Sequence, residues 1–220
     1  MKIFIVLAFI FAGLQVLALW KSWRKLEFIA KPAVMICLFI WLASTTSLKG
    51  ALLWFGLGII FSLAGDVFLL FIDRFFMFGL IAFLLGHIAY LAGFNTPPPQ
   101  DLDAWSFAVA IVIGISAMRL LRRIVAGVRN TQPKLVLPVF GYGVVITLML
   151  LSALLTLFRP EWMTTPALLV SVGAFLFFIS DIVLAWNKFI APIKHGRMIN
   201  IAIYHLGQIA LIAGAAMQLG

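Results

Sequence analysis

Two aspartates lie inside apolar stretches long enough to cross a membrane: Asp66 in FSLAGDVFLLF and Asp181 in LFFISDIVLAW. A carboxylate in hydrocarbon is costly unless it faces a partner, a protein interior or water, so such residues are functional candidates by default. The chain has only seven Asp and Glu residues, and two are placed this way. Two carboxyls in an apolar site suit acid–base work, because one can hold a proton while the other stays ionised as base and cation stabiliser. The sequence does not say which would be which. His87, in a third apolar run, could orient a carboxylate, bind water or shuttle a proton. Tyr90 follows one turn later on the same face.

Other polar residues group around these. Asn200, Tyr204 and Gln208 make an i, i+4, i+8 stripe, a pattern more often interhelical glue than catalytic apparatus. His205 points about 100° away from Tyr204 and reads as structural. Arg74, Asn187, Lys188 and Lys31 fall where the apolar runs end, and a lipid phosphate there would meet positive charge. Asp73 stands at i+7 from Asp66 on one face. Asp66, Asp181 and His87 could give a metal two oxygens and one nitrogen. With three His in all and no HxxxH or HxxE spacing, neither a metal nor a cofactor is expected. A serine hydrolase would need a nucleophile motif such as GxSxG, which is absent.

Composition dictates the elements that must position these groups. Hydrophobic residues make up 65% of the chain and charged residues 10%, against about 25% charged in soluble domains. The apolar runs are continuous and about 20 residues long, which fits helices and not barrel strands. The expected fold is all-α integral membrane, with about eight transmembrane spans near 2–20, 31–48, 50–72, 75–94, 104–121, 134–158, 165–187 and 198–218. The first run could be a signal peptide, but it lacks a clear small-x-small cleavage site and ends at Trp20 and Lys21 like a membrane interface. No loop can hold a soluble domain, so residues 1–220 read as one polytopic domain. On this count 13 of the 16 Lys and Arg fall on one side, and Lys2, Lys49 and Arg159 on the other. The positive-inside rule then makes the first side cytoplasmic and leaves both termini outside. The net charge of +9 reflects topology anchors and contacts to anionic lipid, not nucleic-acid binding. Cys37 is alone and mid-span, so it reads as inert packing.

The chain also repeats itself. LGHIAYLAG at 85–93 matches LGQIALIAG at 206–214 in six of nine positions, and GDVFLLF at 65–71 parallels SDIVLAW at 180–186. The offsets are 181 − 66 = 115 and 208 − 87 = 121. A parallel internal repeat of spans 3–4 and 7–8 would set Asp66 opposite Asp181 and His87 opposite Gln208. Helix rise puts Asp66 about 12 Å below Arg74 and Asp181 about 10 Å below Lys188, with His87 about 20 Å deep. A cavity open at the cytoplasmic side is expected there, floored by Phe68, Leu69, Leu184 and Trp186.

Taken in order, these residues resemble the lysoplasmalogenase (YhhN-like) family over nearly the whole chain. The features are Lys31-Pro32, Gly65-Asp66, His87 and Tyr90 in GHIAY, Ser180-Asp181, Asn187-Lys188, Tyr204 and Gln208. Gly86 and Gly207 stand where the family pattern has alanine. The resemblance implies hydrolysis of the vinyl ether bond of a lysophospholipid in a bacterial inner membrane. Asp66, Asp181 and His87 would then be catalytic. Lys31, Arg74, Tyr90, Asn187, Lys188, Tyr204 and Gln208 would bind substrate, and the partners would be lysophospholipid and membrane lipids. A proton-coupled transporter using the same aspartates is the alternative, and it would need helices broken at binding depth. A non-catalytic scaffold would tolerate Asp→Asn at both positions.

Overall fold

The computed structural model describes residues 2–99 and 104–220. The side chain of Asp73, and Asp101 and Asp103 of the expected outer loop, lie outside the described residues. Eight helices follow one another: α1 (Ile3–Trp20), α2 (Arg24–Thr45), α3 (Ala51–Leu69), α4 (Ile72–Phe94), α5 (Ala104–Thr131), α6 (Val136–Leu155), α7 (Thr164–Phe189) and α8 (Gly196–Leu219). All are long and apolar enough to cross a membrane. The protein is an all-helical integral membrane protein.

Two span boundaries differ from the hydropathy reading. α2 begins at Arg24, seven residues before the expected start, and carries Pro32 inside it. Arg24 and Lys25 at its start are exposed, but Glu27 and Lys31 are buried. Glu27 pairs with Arg197 of α8, and Lys31 pairs with Asp66 of α3. Charge therefore lowers the apparent hydropathy of a segment that is inside the bundle. α5 runs to Thr131, ten residues past the expected end. Its cationic last turns keep Leu121, Ile124 and Val128 buried on one face, so the helix continues after the apolar run stops.

Helix pairs form the scaffold: α1 along α2, α3 along α4, and α7 along α8. Close approach explains two glycine pairs. A methyl group on Gly173 would sit 2.7 Å from the Gly207 carbonyl oxygen, and one on Gly86 would sit 3.3 Å from that of Gly58. Small residues let membrane helices meet backbone to backbone where lipid provides no hydrophobic driving force. The pairs Gly58–Gly86 and Gly173–Gly207 are separated by the same offsets, 173 − 58 = 115 and 207 − 86 = 121, as the sequence matches. A common origin of the two hairpins is a proposal that these contacts favour.

Aromatic and aliphatic side chains fill the centre, with Phe55, Tyr90, Phe94, Met149, Phe177 and Leu211 fully buried. The end at Lys49 and Gly220 is closed by Arg159, expected at a surface but buried. It donates to the Phe94 carbonyl at 2.7 Å and so satisfies an orphan acceptor at the end of α4. α3 and α7 run unbroken through Asp66 and Asp181, so neither aspartate has the unwound helix that the transporter reading requires.

Candidate active site

Each aspartate is held by side chains from other helices, because a buried polar group in a membrane helix finds its partner across the packing interface. Asp181 on α7 accepts through Oδ2 from the Tyr142 hydroxyl of α6, and its Oδ2 lies 3.2 Å from His87 Nε2 of α4. His87 Nε2 is also 2.9 Å from Tyr142 Oη, which closes a three-membered polar cluster. The His87 ring is fully buried and, among the described residues, its Nδ1 has no partner. The neutral tautomer with hydrogen on Nε2 therefore fits best, since it leaves no buried N–H orphaned. Among the described residues, Oδ1 of Asp181 keeps only a long contact from Ser180 at 3.4 Å.

Helix register explains how His87 reaches Asp181, although it was expected a turn or two deeper. The Phe76 and Phe189 rings touch, with centroids 5.7 Å apart, and set α4 level with α7 there. Eleven residues on from Phe76 and eight back from Phe189 give roughly 16 and 12 Å of rise. The side chains span the remaining turn.

Asp66 on α3 lies in a second centre. Tyr204 of α8 donates to its Oδ2 at 2.8 Å, and Lys31 Nζ stands 3.3 Å from Oδ1. Both charged groups are buried. One turn back, Ser62 accepts from Gln208 Nε2 at 3.0 Å, and Gln208 Oε1 accepts from Tyr90 at 2.8 Å. Among the described residues, the two aspartates share no hydrogen-bonding partner. The rings of Phe83 and Phe177 lie between the centres: Phe177 stacks on His87 on one side and on Tyr204 on the other, at 4.5 and 5.3 Å. The expectation that Asp66 and Asp181 face each other directly gives way to two centres joined through an aromatic wall. The three candidate metal ligands do not converge, since Asp66 is occupied by Lys31 and Tyr204.

Two cavities adjoin this region. A polar mouth of about 1090 Å³ is lined by Lys31, Arg74, Asn187 and Lys188, with Glu27 and Arg197 also on its wall. Lys188 and Arg74 rest over the Phe76 and Phe75 rings, 4.5 and 5.2 Å from their centroids. Asn187 accepts from the Ile193 backbone N–H at 2.6 Å and so pins the turn between α7 and α8. A narrow apolar slot of about 70 Å³ runs between α4, α5, α6 and α7, and Asp181 and Tyr142 line it. Leu69 and Leu184 line both spaces, which therefore adjoin. Of the four expected floor residues these two are lining. Phe68 stacks with Phe75 and Phe78 instead, and Trp186 lines neither space.

Of the expected site residues, the structure brings His87 to Asp181, and Lys31, Arg74, Asn187 and Lys188 to one mouth. Tyr90, Tyr204 and Gln208 form a buried network on the Asp66 side and line neither cavity. His205, read as structural, is buried against Gln15 of α1 at 2.6 Å. Tyr142 was missed. A signal existed: the chain has three tyrosines, a buried phenol seeks an acceptor, and all three donate into these networks.

The sequence matches the YhhN family over residues 26–215. The chain belongs to the YhhN family. Among curated relatives of this YhhN protein, human lysoplasmalogenase TMEM86B is 31% identical over 87 residues, which is 40% of this chain and 34% of the relative. The rat lysoplasmalogenase TMEM86B is also 31% identical, over 91 residues, 41% of this chain and 35% of the relative. The match thus spans about a third of the length of these relatives. No solved structure matches.

Proposed function

We propose that this YhhN-family protein is a membrane hydrolase that cleaves the vinyl ether bond of lysoplasmalogen-type lysophospholipids. The products are a fatty aldehyde and a glycerophospho-alcohol. The observation that carries the reading is the adjacency of the two cavities. A basic, polar mouth adjoins an apolar slot, and Asp181 and its partner Tyr142 line the slot, with His87 buried behind them. A lysophospholipid has this polarity, with a phosphate at one end, a chain at the other and the ether linkage between. The relatives' name, lysoplasmalogenase, supports the same substrate class.

The chemistry follows from the free oxygen of Asp181. Protonated on Oδ1, Asp181 gives its proton to the β-carbon of the vinyl ether, and the π electrons form the new C–H bond. The α-carbon becomes an oxocarbenium ion, flanked by the Asp181 carboxylate. Water adds there and passes a proton to Asp181, giving a hemiacetal. Asp181 then protonates the glycerol oxygen as the C–O bond breaks, and the hemiacetal O–H proton returns to Asp181. The products are the alcohol and the aldehyde, and the enzyme is restored. Tyr142 and His87 hold Oδ2, which fixes the orientation of Oδ1. Asp66 acts at a distance, by holding Lys31 at the mouth.

The substrate class is tested with purified protein in detergent, comparing lysoplasmalogen with its saturated alkyl ether analogue. The vinyl ether releases aldehyde. The saturated ether gives none, because it cannot form the carbocation by carbon protonation. Equal cleavage of both would remove this chemistry.

The rim makes a separate prediction. Arg74→Gln and Lys188→Gln should each raise KM about tenfold, the scale of one charge-assisted hydrogen bond, and change kcat little. Phosphate binding is nearly the same in ground and transition states. A fall in kcat at constant KM would place these residues in the chemistry instead.

The charge split supports a mouth facing the cytoplasm, in a bacterial inner membrane, with both termini outside. A reporter that is active only in the cytoplasm should be silent when fused after Gly220. An active fusion would invert the topology.

A further inference from the structure

The basic end of α5 plays no part in the proposed chemistry, yet it borders a third cavity. A groove of about 390 Å³ lies between α5 and α6, lined by Met118, Leu121, Arg122, Val125, Ala126 and Arg129 of α5 and by Phe140 of α6. Arg122 and Arg129 are exposed, and among the described residues neither forms an ion pair. They stand seven residues apart on one face, about 10 Å along the axis, with apolar side chains between and beneath them. Met118 and Phe140 are each 40% exposed in the groove, Met118 at its deeper end.

Depth decides what could sit there. Counted from Ala104, Arg122 lies about 27 Å along α5 and Arg129 about 37 Å. The hydrocarbon core is about 30 Å thick. Arg122 therefore falls at the hydrocarbon edge and Arg129 in the headgroup layer, while Met118 remains at acyl-chain depth. A soluble anion would find no use for that apolar floor, and a neutral lipid would leave two guanidinium groups unanswered.

We propose that this groove is a binding site for an anionic glycerophospholipid of the adjoining leaflet. Its phosphate sits between Arg122 and Arg129, and one acyl chain lies along Met118, Val125 and Phe140. The guanidinium fork suits a phosphate, which accepts two parallel hydrogen bonds. Leu121 lines both this groove and the apolar slot that holds Asp181, so a bound lipid would steady α5 against the slot wall. This site is independent of the proposed hydrolysis.

The test is native mass spectrometry of the purified full chain titrated with phosphatidylglycerol, with phosphatidylcholine and free glycerol phosphate as comparisons. Phosphatidylglycerol should bind at one saturable site, with phosphatidylcholine and glycerol phosphate far weaker. The variant R122Q/R129Q should lose affinity roughly 100-fold, about tenfold for each charge-assisted hydrogen bond to the phosphate. R119Q/R123Q removes the same charge from residues that do not line the groove and should cost less than about threefold. Equal losses from the two variants would mean diffuse attraction and would overturn the site, as would tight binding of glycerol phosphate alone. All four positions are exposed, and matching thermal midpoints of the variants in detergent confirm that their folds are intact.

Discussion

Asp181→Asn should lower kcat for lysoplasmalogen by about 10²–10⁴-fold, the usual contribution of a positioned proton donor or acceptor. Asparagine keeps the volume, and its amide oxygen can still accept from Tyr142. What it lacks is a proton to give to carbon. Folding is expected to be intact, because among the described residues Asp181 forms no ion pair with Lys or Arg, and it lies partly open to the slot. Tyr142→Phe removes one donor to the carboxylate together with the Tyr142 contact to His87, and should cost roughly 10–100-fold, the range for a hydrogen bond to a charged group. Steady-state kinetics, with helicity measured in parallel, check both. A folded Asp181→Asn protein retaining more than about a tenth of wild-type turnover would take Asp181 out of the acid role.

Asp66→Asn should act in a different way. It leaves the Lys31 ammonium buried without its counter-charge, and breaking a buried pair by removing one partner costs about 3–5 kcal/mol. For a chain of this size the thermal midpoint should fall by on the order of 10 °C. Adding Lys31→Met removes the stranded charge, and replacing both partners of a buried pair restores most of the stability. The double variant should therefore melt near the wild type, keep most of kcat and show a raised KM, because the mouth has lost a cation. Melting curves of the two single variants and the double in one detergent decide the matter. An Asp66→Asn protein as stable as wild type but inactive would make Asp66 a chemical group rather than an electrostatic one.

The contrast between the aspartates marks how far the sequence could be read. Eight helices were legible because hydropathy and length depend only on local composition. Asp66, Asp181 and His87 were legible because ionisable residues in apolar runs are rare for energetic reasons. Their partners were not. Lys31 looked like a headgroup anchor at the edge of a span, since nothing local reveals that Asp66, on the next helix, lies 3.3 Å away. Tyr142 was not singled out, because its acceptor is on a different helix, 39 residues on. Pairing of this kind is set by the rotation and tilt of packed helices. Glycine contacts such as Gly173 with Gly207 fix those angles, and residue spacing along one helix does not encode them. The repeat pointed to matched aspartates, but each took different neighbours: Asp181 found His87 and Tyr142, and Asp66 found Tyr204 and Lys31.

The central claim is that the Asp181 cluster protonates the β-carbon of a vinyl ether. It is tested most directly by running the reaction in deuterium oxide and trapping the aldehyde at once as a stable derivative for mass spectrometry. That carbon becomes C2 of the aldehyde, so the wild-type product should carry one deuterium there, and Asp181→Asn should yield almost no aldehyde under the same conditions. No aldehyde from well-folded wild-type protein, or labelled aldehyde at an undiminished rate from Asp181→Asn, would contradict the account.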